Sequence, residues 1–117
     1  GLISETEYLG QLTKTIKNVM TSPGRLVQSL SDSSWDTWIK HYRPDENSQN
    51  ARISYYTKGA AVAWLLDIQL MLKTANRVRL DDIMRQLWER YLHRGYENRD
   101  FIGLLNEATS DDWSAWF

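Results

Sequence analysis

Apolar positions recur at helical spacing along almost the whole chain. Tyr8, Leu9, Leu12, Ile16, Val19 and Met20 follow one another three or four residues apart, the signature of a helix with one buried face. They stand behind Ser4-Glu5-Thr6-Glu7, a capping-box pattern in which the Glu7 side chain can reach back to the Ser4 amide. The spacing predicts a helix over residues 5–21, stopped by Ser22-Pro23-Gly24. Ser31-Asp32-Ser33-Ser34 then offers N-caps for a short helix with Trp35, Trp38, Ile39 and Tyr42 on one face, and residues 43–50 are a polar loop rich in turn formers. A long helix is predicted over 53–74, roughly 30 Å at ~1.5 Å per residue. Ala60 to Leu66 is apolar on every side, which predicts burial by neighbours all round. Tyr56, Gly59, Ala60 and Ala63 share one face of it, where three small residues would let another backbone come close.

Two more helices complete the pattern. Leu80-Asp81-Asp82 opens one with acids in its first turn, a stripe of Leu80, Ile83, Met84, Leu87, Trp88, Tyr91 and Leu92, and an end at His93-Arg94-Gly95. Asn98 can cap a helix over 99–109 buried through Phe101, Ile102, Leu104, Leu105 and Ala108. Asp111 or Asp112 can cap a last turn carrying Trp113, Trp116 and Phe117. No strand pattern and no internal repeat is present. The expected fold class is all-α: a five-to-six-helix bundle around one long buried central helix.

Composition narrows this picture only a little. The 117 residues suit one helical subdomain over 1–117, and 42% hydrophobic with 25% charged residues is ordinary for a globular chain. A formal net charge of -1 and the lack of a basic stripe on any helix argue against nucleic acid as a partner. The absence of cysteine excludes disulfides and thiolate metal sites, and no apolar run is long enough to predict a membrane span. Six tryptophans and six tyrosines supply large buried area together with polar atoms that need partners.

Little in the chain could do chemistry unaided. A zinc hydrolase needs two or three His or carboxylate ligands converging on one point. Only His41 and His93 are present, far apart in sequence, and neither is followed by Glu. No metal-ligating residue is therefore assigned. Asp81-Asp82 and Asp111-Asp112 are adjacent pairs that would point about 100° apart on a helix, better suited to helix starts than to paired acid–base work. There is no phosphate-binding glycine loop and no serine nucleophile elbow. Lys58 reads as a snorkelling or ion-paired residue rather than a base.

Tyr56-Thr57-Lys58-Gly59, at the head of the long helix, resembles the Tyr-x-Lys-Gly motif after the zinc-binding helices of gluzincin aminopeptidases. The likeness is to the bacterial glycyl aminopeptidase family of zinc metallopeptidases. Gly1-Leu2-Ile3-Ser4 with Glu7-Tyr8-Leu9 is similar to that family's exit from the helix bearing the third zinc ligand. Pro23-Gly24-Arg25, Gln28-Ser29-Leu30 and Tyr42-Arg43-Pro44-Asp45-Glu46-Asn47-Ser48 are similar to its connecting region. Leu80-Asp81-Asp82-Ile83-Met84, Gly95-Tyr96 and Asp112-Trp113-Ser114-Ala115-Trp116-Phe117 look like the end of its catalytic region, which a PDZ-like domain usually follows. Arg79 departs from the pattern, standing where the family tends to offer a serine N-cap.

The resemblance implies the C-terminal helical part of a zinc aminopeptidase acting on peptides, with Tyr56 as its one assigned catalytic residue. A phenol, with a pKa of about 10, stays protonated at neutral pH and can donate a hydrogen bond to the oxyanion of a tetrahedral intermediate. Zinc would belong to the full-length parent and none to this chain, which by itself would be inactive. Its partners would be the rest of the catalytic domain and the peptide substrate. Tyr55, about 100° round the helix, would pack against a neighbour. The rival reading is a stand-alone helical interaction module that binds a partner through its tryptophans.

Overall fold

Ser4 begins the first helix as expected. In a computed structural model that describes residues 2–37, 46, 48 and 52–117, α1 runs Glu5–Thr21. The Glu7 carboxylate accepts from the Ser4 amide at 2.8 Å while the Glu7 amide donates to the Ser4 hydroxyl oxygen at 3.3 Å. The Ser4 hydroxyl, donating to the same carboxylate, holds the Glu7 acid below its ordinary pKa. Ser22 ends the helix, and Pro23–Leu26 form a 3-10 turn. Trp38, Ile39, His41, Tyr42 and the loop over 43–50 except Glu46 and Ser48 lie outside the described residues.

The second helix, α2, spans Leu30–Trp35 and is capped by Ser29 rather than by the serines at 31–34. Ser29 wins because Asp32, three residues on, answers it: the Asp32 amide donates to the Ser29 hydroxyl oxygen at 3.0 Å, and that hydroxyl donates to the Asp32 carboxylate at 2.6 Å. The long helix, α3, runs Tyr55–Lys73; α4 is Leu80–Tyr91 and α5 Asn98–Thr109. A closing 3-10 turn covers Ser114–Trp116. There is no strand among the described residues, so the all-α class holds.

The chain groups into two compact units, Gly1–Val62 and Ala63–Phe117. In the second, Leu66, Leu70, Ile83, Leu87, Leu104, Leu105 and Trp113 form the core. Trp113 enters it with both donors satisfied, its indole N–H on the Thr109 hydroxyl (2.7 Å) and its amide on the Asn106 side-chain oxygen (2.9 Å). Thr74 is buried because its hydroxyl donates to the Leu70 carbonyl and accepts the Val78 amide across the turn that follows α3. Ala75 and Asn76, both left-handed, make that turn.

Three expectations need correction. The stretch from Ala60 to Leu66 is not buried all round: Ala60 and Leu65 are exposed, and only Leu66 and Leu70 of α3 are buried. Apolar composition permits burial on every side but does not supply neighbours. Along α4 the stripe divides: Ile83 and Leu87 are buried, whereas Met84 and Trp88 stay 49% and 67% exposed. A row as wide as the whole stripe exceeds what one core can cover. Asn98 is the first residue of α5 rather than its cap; Glu97 precedes it, with its amide donating to Asp100 at 2.9 Å.

Arg79 explains how α4 starts without a serine. Its amide donates to Asp82 (2.9 Å) and its guanidinium grips Asp67 through two nitrogens. The Asp67 carboxylate also accepts the Leu80 amide at 2.9 Å, so a residue of α3 performs the capping that position 79 does not. The Arg79 hydrogen bond holds the Asp67 acid below its ordinary pKa. An acid whose folded pKa is depressed stabilises the fold above its unfolded pKa, and that contribution is lost as pH falls through the folded value. Asp67→Asn is therefore expected to lower the melting temperature at pH 7. The gap to wild type should close as the pH is taken below the ordinary aspartate value. A gap independent of pH would show that the charge contributes nothing.

Candidate functional site

Ile53 to Gly59 leads into the first turns of α3, and the Lys58 amide closes the opening turn on the Ser54 carbonyl at 2.9 Å. Tyr56, in that turn, is 66% exposed. Its ring lies against Tyr55, with centroids 4.1 Å apart and planes tilted by 31°. The contact with Tyr55 restricts how far the Tyr56 ring can swing.

Lys58 points into the protein. Its ammonium donates to the Gln28 carbonyl at 2.6 Å and to the Arg25 carbonyl at 3.3 Å. Among the described residues it meets backbone carbonyls rather than an acid, forming a bridge from α3 to the turn at 23–28. Two further features tighten the joint. The Ile53 amide donates to the Gln28 side-chain oxygen at 3.1 Å. Gly24 lies so close to residue 52 that a Cβ there would stand 2.0 Å from the Arg52 carbonyl oxygen. The close backbone approach expected at Gly59 occurs instead at Gly24; among the described residues a Cβ on Gly59 would meet the Leu30 side chain at an ordinary 3.7 Å.

Nothing in the sequence assigns the roles of Gln28 and Gly24. Pro23-Gly24 marks a turn, but nothing local says which distant strand of backbone the glycine must admit. An open cleft of about 550 Å³ borders the joint, with Asn18, Ser22, Arg52, Ser54 and Thr57 among its lining residues. Hydroxyl, amide and guanidinium groups thus sit next to the residue that follows Tyr56.

Residues 1–62, which include this whole joint, match the family model of the M61 glycyl aminopeptidases. The chain belongs to that family. Comparison with curated proteins and with solved structures finds no match. The match ends at Val62, so the likeness read over residues 80–117 lies beyond it. Membership makes this a peptidase-related protein and brings the Tyr56-Thr57-Lys58-Gly59 motif inside the matched span.

No group of three or more His, Cys, Asp or Glu is placed to hold a metal ion among the described residues. His93 is exposed just past the end of α4, and His41 lies outside the described residues. The side chains described do not fit a zinc site, and no chemical step through zinc is assigned to them. No helix among the described residues is long and apolar enough to cross a membrane.

Proposed function

We propose that this chain is the C-terminal helical part of the catalytic domain of a zinc aminopeptidase, forming one wall of its active-site cleft. The parent would remove N-terminal residues from peptides, with Tyr56 donating its phenolic proton to the oxyanion of the tetrahedral intermediate. Zinc and its ligands would come from the rest of the catalytic domain, and a PDZ-like domain would follow. By itself the chain would be inactive.

The observation that carries this reading is the family match across Tyr56-Thr57-Lys58-Gly59, on a motif whose tyrosine is exposed. A core tyrosine would bury its ring and satisfy its hydroxyl internally. This one projects from a helix start that the turn at 23–28 holds in place. Leu26, Val27 and Trp35 are exposed in the same unit, apolar surface of the kind expected where a missing subdomain docks. The test is Tyr56→Phe in the full-length parent: a fall in kcat with folding and zinc content unchanged supports the role, and a wild-type kcat ends it.

A further inference from the structure

We infer that Lys58 is a positioning residue for Tyr56, acting by clamping the first turn of α3 to the turn at 23–28; this rests on the oxyanion reading above. A cation in the first turn of a helix sits at the wrong end of the helix dipole, and α3 has no acid in that turn to offset it. The mismatch needs an external partner. Lys58 finds one in the Arg25 and Gln28 carbonyls, thirty and more residues back along the chain.

An ammonium has three donors and no acceptor, and two of them are used here on backbone oxygens. Backbone carbonyls of a turn move only if the turn moves, so they fix the lysine more firmly than a swinging side chain would. Gln28 acts on both sides of the joint, taking Lys58 on its backbone and the Ile53 amide on its side chain. The segment that enters α3 and the first turn of α3 are thus tied to one residue. Tyr56 lies between the two tied points, Ile53 and Lys58. This assigns a physical task to the third position of the motif: the tyrosine supplies the donor and the lysine sets where it is aimed.

The test is a double-mutant cycle in the full-length parent. Lys58→Met keeps most of the length of the side chain and removes its donors. It is expected to lower kcat about 10- to 100-fold, since a misplacement of about 1 Å can cost on the order of 100-fold, with KM nearly unchanged. Lys58→Arg, which keeps donors on a long stem, should recover most of the loss. In a Tyr56→Phe background Lys58→Met should cost nothing further, because residues that act through one another are not additive. An equal loss in both backgrounds, or a wild-type kcat for Lys58→Met, overturns the inference while leaving Tyr56 in place. A wild-type kcat for Tyr56→Phe alone removes the oxyanion reading and this inference with it. Should Lys58→Met not fold, as judged by circular dichroism, Lys58→Gln carries the same test: it is uncharged and too short to reach both the Arg25 and Gln28 carbonyls, and an unchanged kcat there overturns the inference.

Discussion

Tyr56→Phe in the full-length parent is expected to lower kcat about 100- to 1,000-fold, the usual cost of deleting one oxyanion donor, equivalent to about 2.7–4 kcal/mol of transition-state stabilisation. Phenylalanine keeps the ring and its contact with Tyr55, 4.1 Å between centroids, so only the donor is removed. The side chain is largely exposed, and losing its hydroxyl strands no buried partner. The stability change should therefore stay within about 0.5 kcal/mol, as for surface substitutions generally. Little change is expected in KM, because the lost hydrogen bond forms only as charge develops on the oxygen. Steady-state kinetics beside a thermal melt and a zinc assay separate the cases. A kcat within twofold or so of wild type, in a folded and zinc-loaded enzyme, would remove Tyr56 from the mechanism.

Gly24→Ala is expected to be the most damaging single-methyl change in the first unit. The new Cβ would stand 2.0 Å from the Arg52 carbonyl oxygen, 2.4 Å from its carbon and 2.7 Å from the Arg52 nitrogen. All three are backbone atoms, so no side-chain rotation relieves the clash; the two segments must part. Overpacking commonly costs 1–3 kcal/mol. Here the separation also stretches the Ile53–Gln28 and Lys58–Gln28 hydrogen bonds, and a loss of about 3 kcal/mol is expected. Urea unfolding of this chain, followed by circular dichroism, measures it. A midpoint equal to wild type would mean that residues 24 and 52 do not meet as described.

What could be read from the residues alone was whatever depends on near neighbours. The Ser4–Glu7 box, the stop at Ser22-Pro23 and the acidic start of α4 all involve groups three or four positions apart, and each lies where the pattern put it. At the closing turn the N-cap is Trp113 rather than Asp111 or Asp112, although Asp112 accepts the Ser114 amide from two residues back. The cap before Trp35 is just as local, Ser29 pairing with Asp32 three residues on, but the serines at 31–34 offered equally plausible caps. Burial was harder. Trp88 and Leu87 are adjacent apolar residues of one helix, yet one is exposed and the other buried, because the core touches a single edge of the stripe. Least legible was the joint around the candidate site. The motif could be seen, but the partners of its lysine lie some thirty residues away, and a carbonyl oxygen leaves no mark in a sequence. The reach of Asp67 to the Arg79 guanidinium and the Leu80 amide was hidden for the same reason.

The opening helix carries an apolar stripe and yet fully buries no residue, Leu12, Ile16 and Val19 being half-buried. Much of its cohesion rests on its own ladder of hydrogen bonds and on the Ser4–Glu7 cap, and 17 residues is close to the length at which isolated helices are marginal in water. Its amide protons should trade with deuterated solvent sooner than those of α4 and α5 around the Leu104–Leu105 core, and a protease added to the folded chain should find its first cleavage points there.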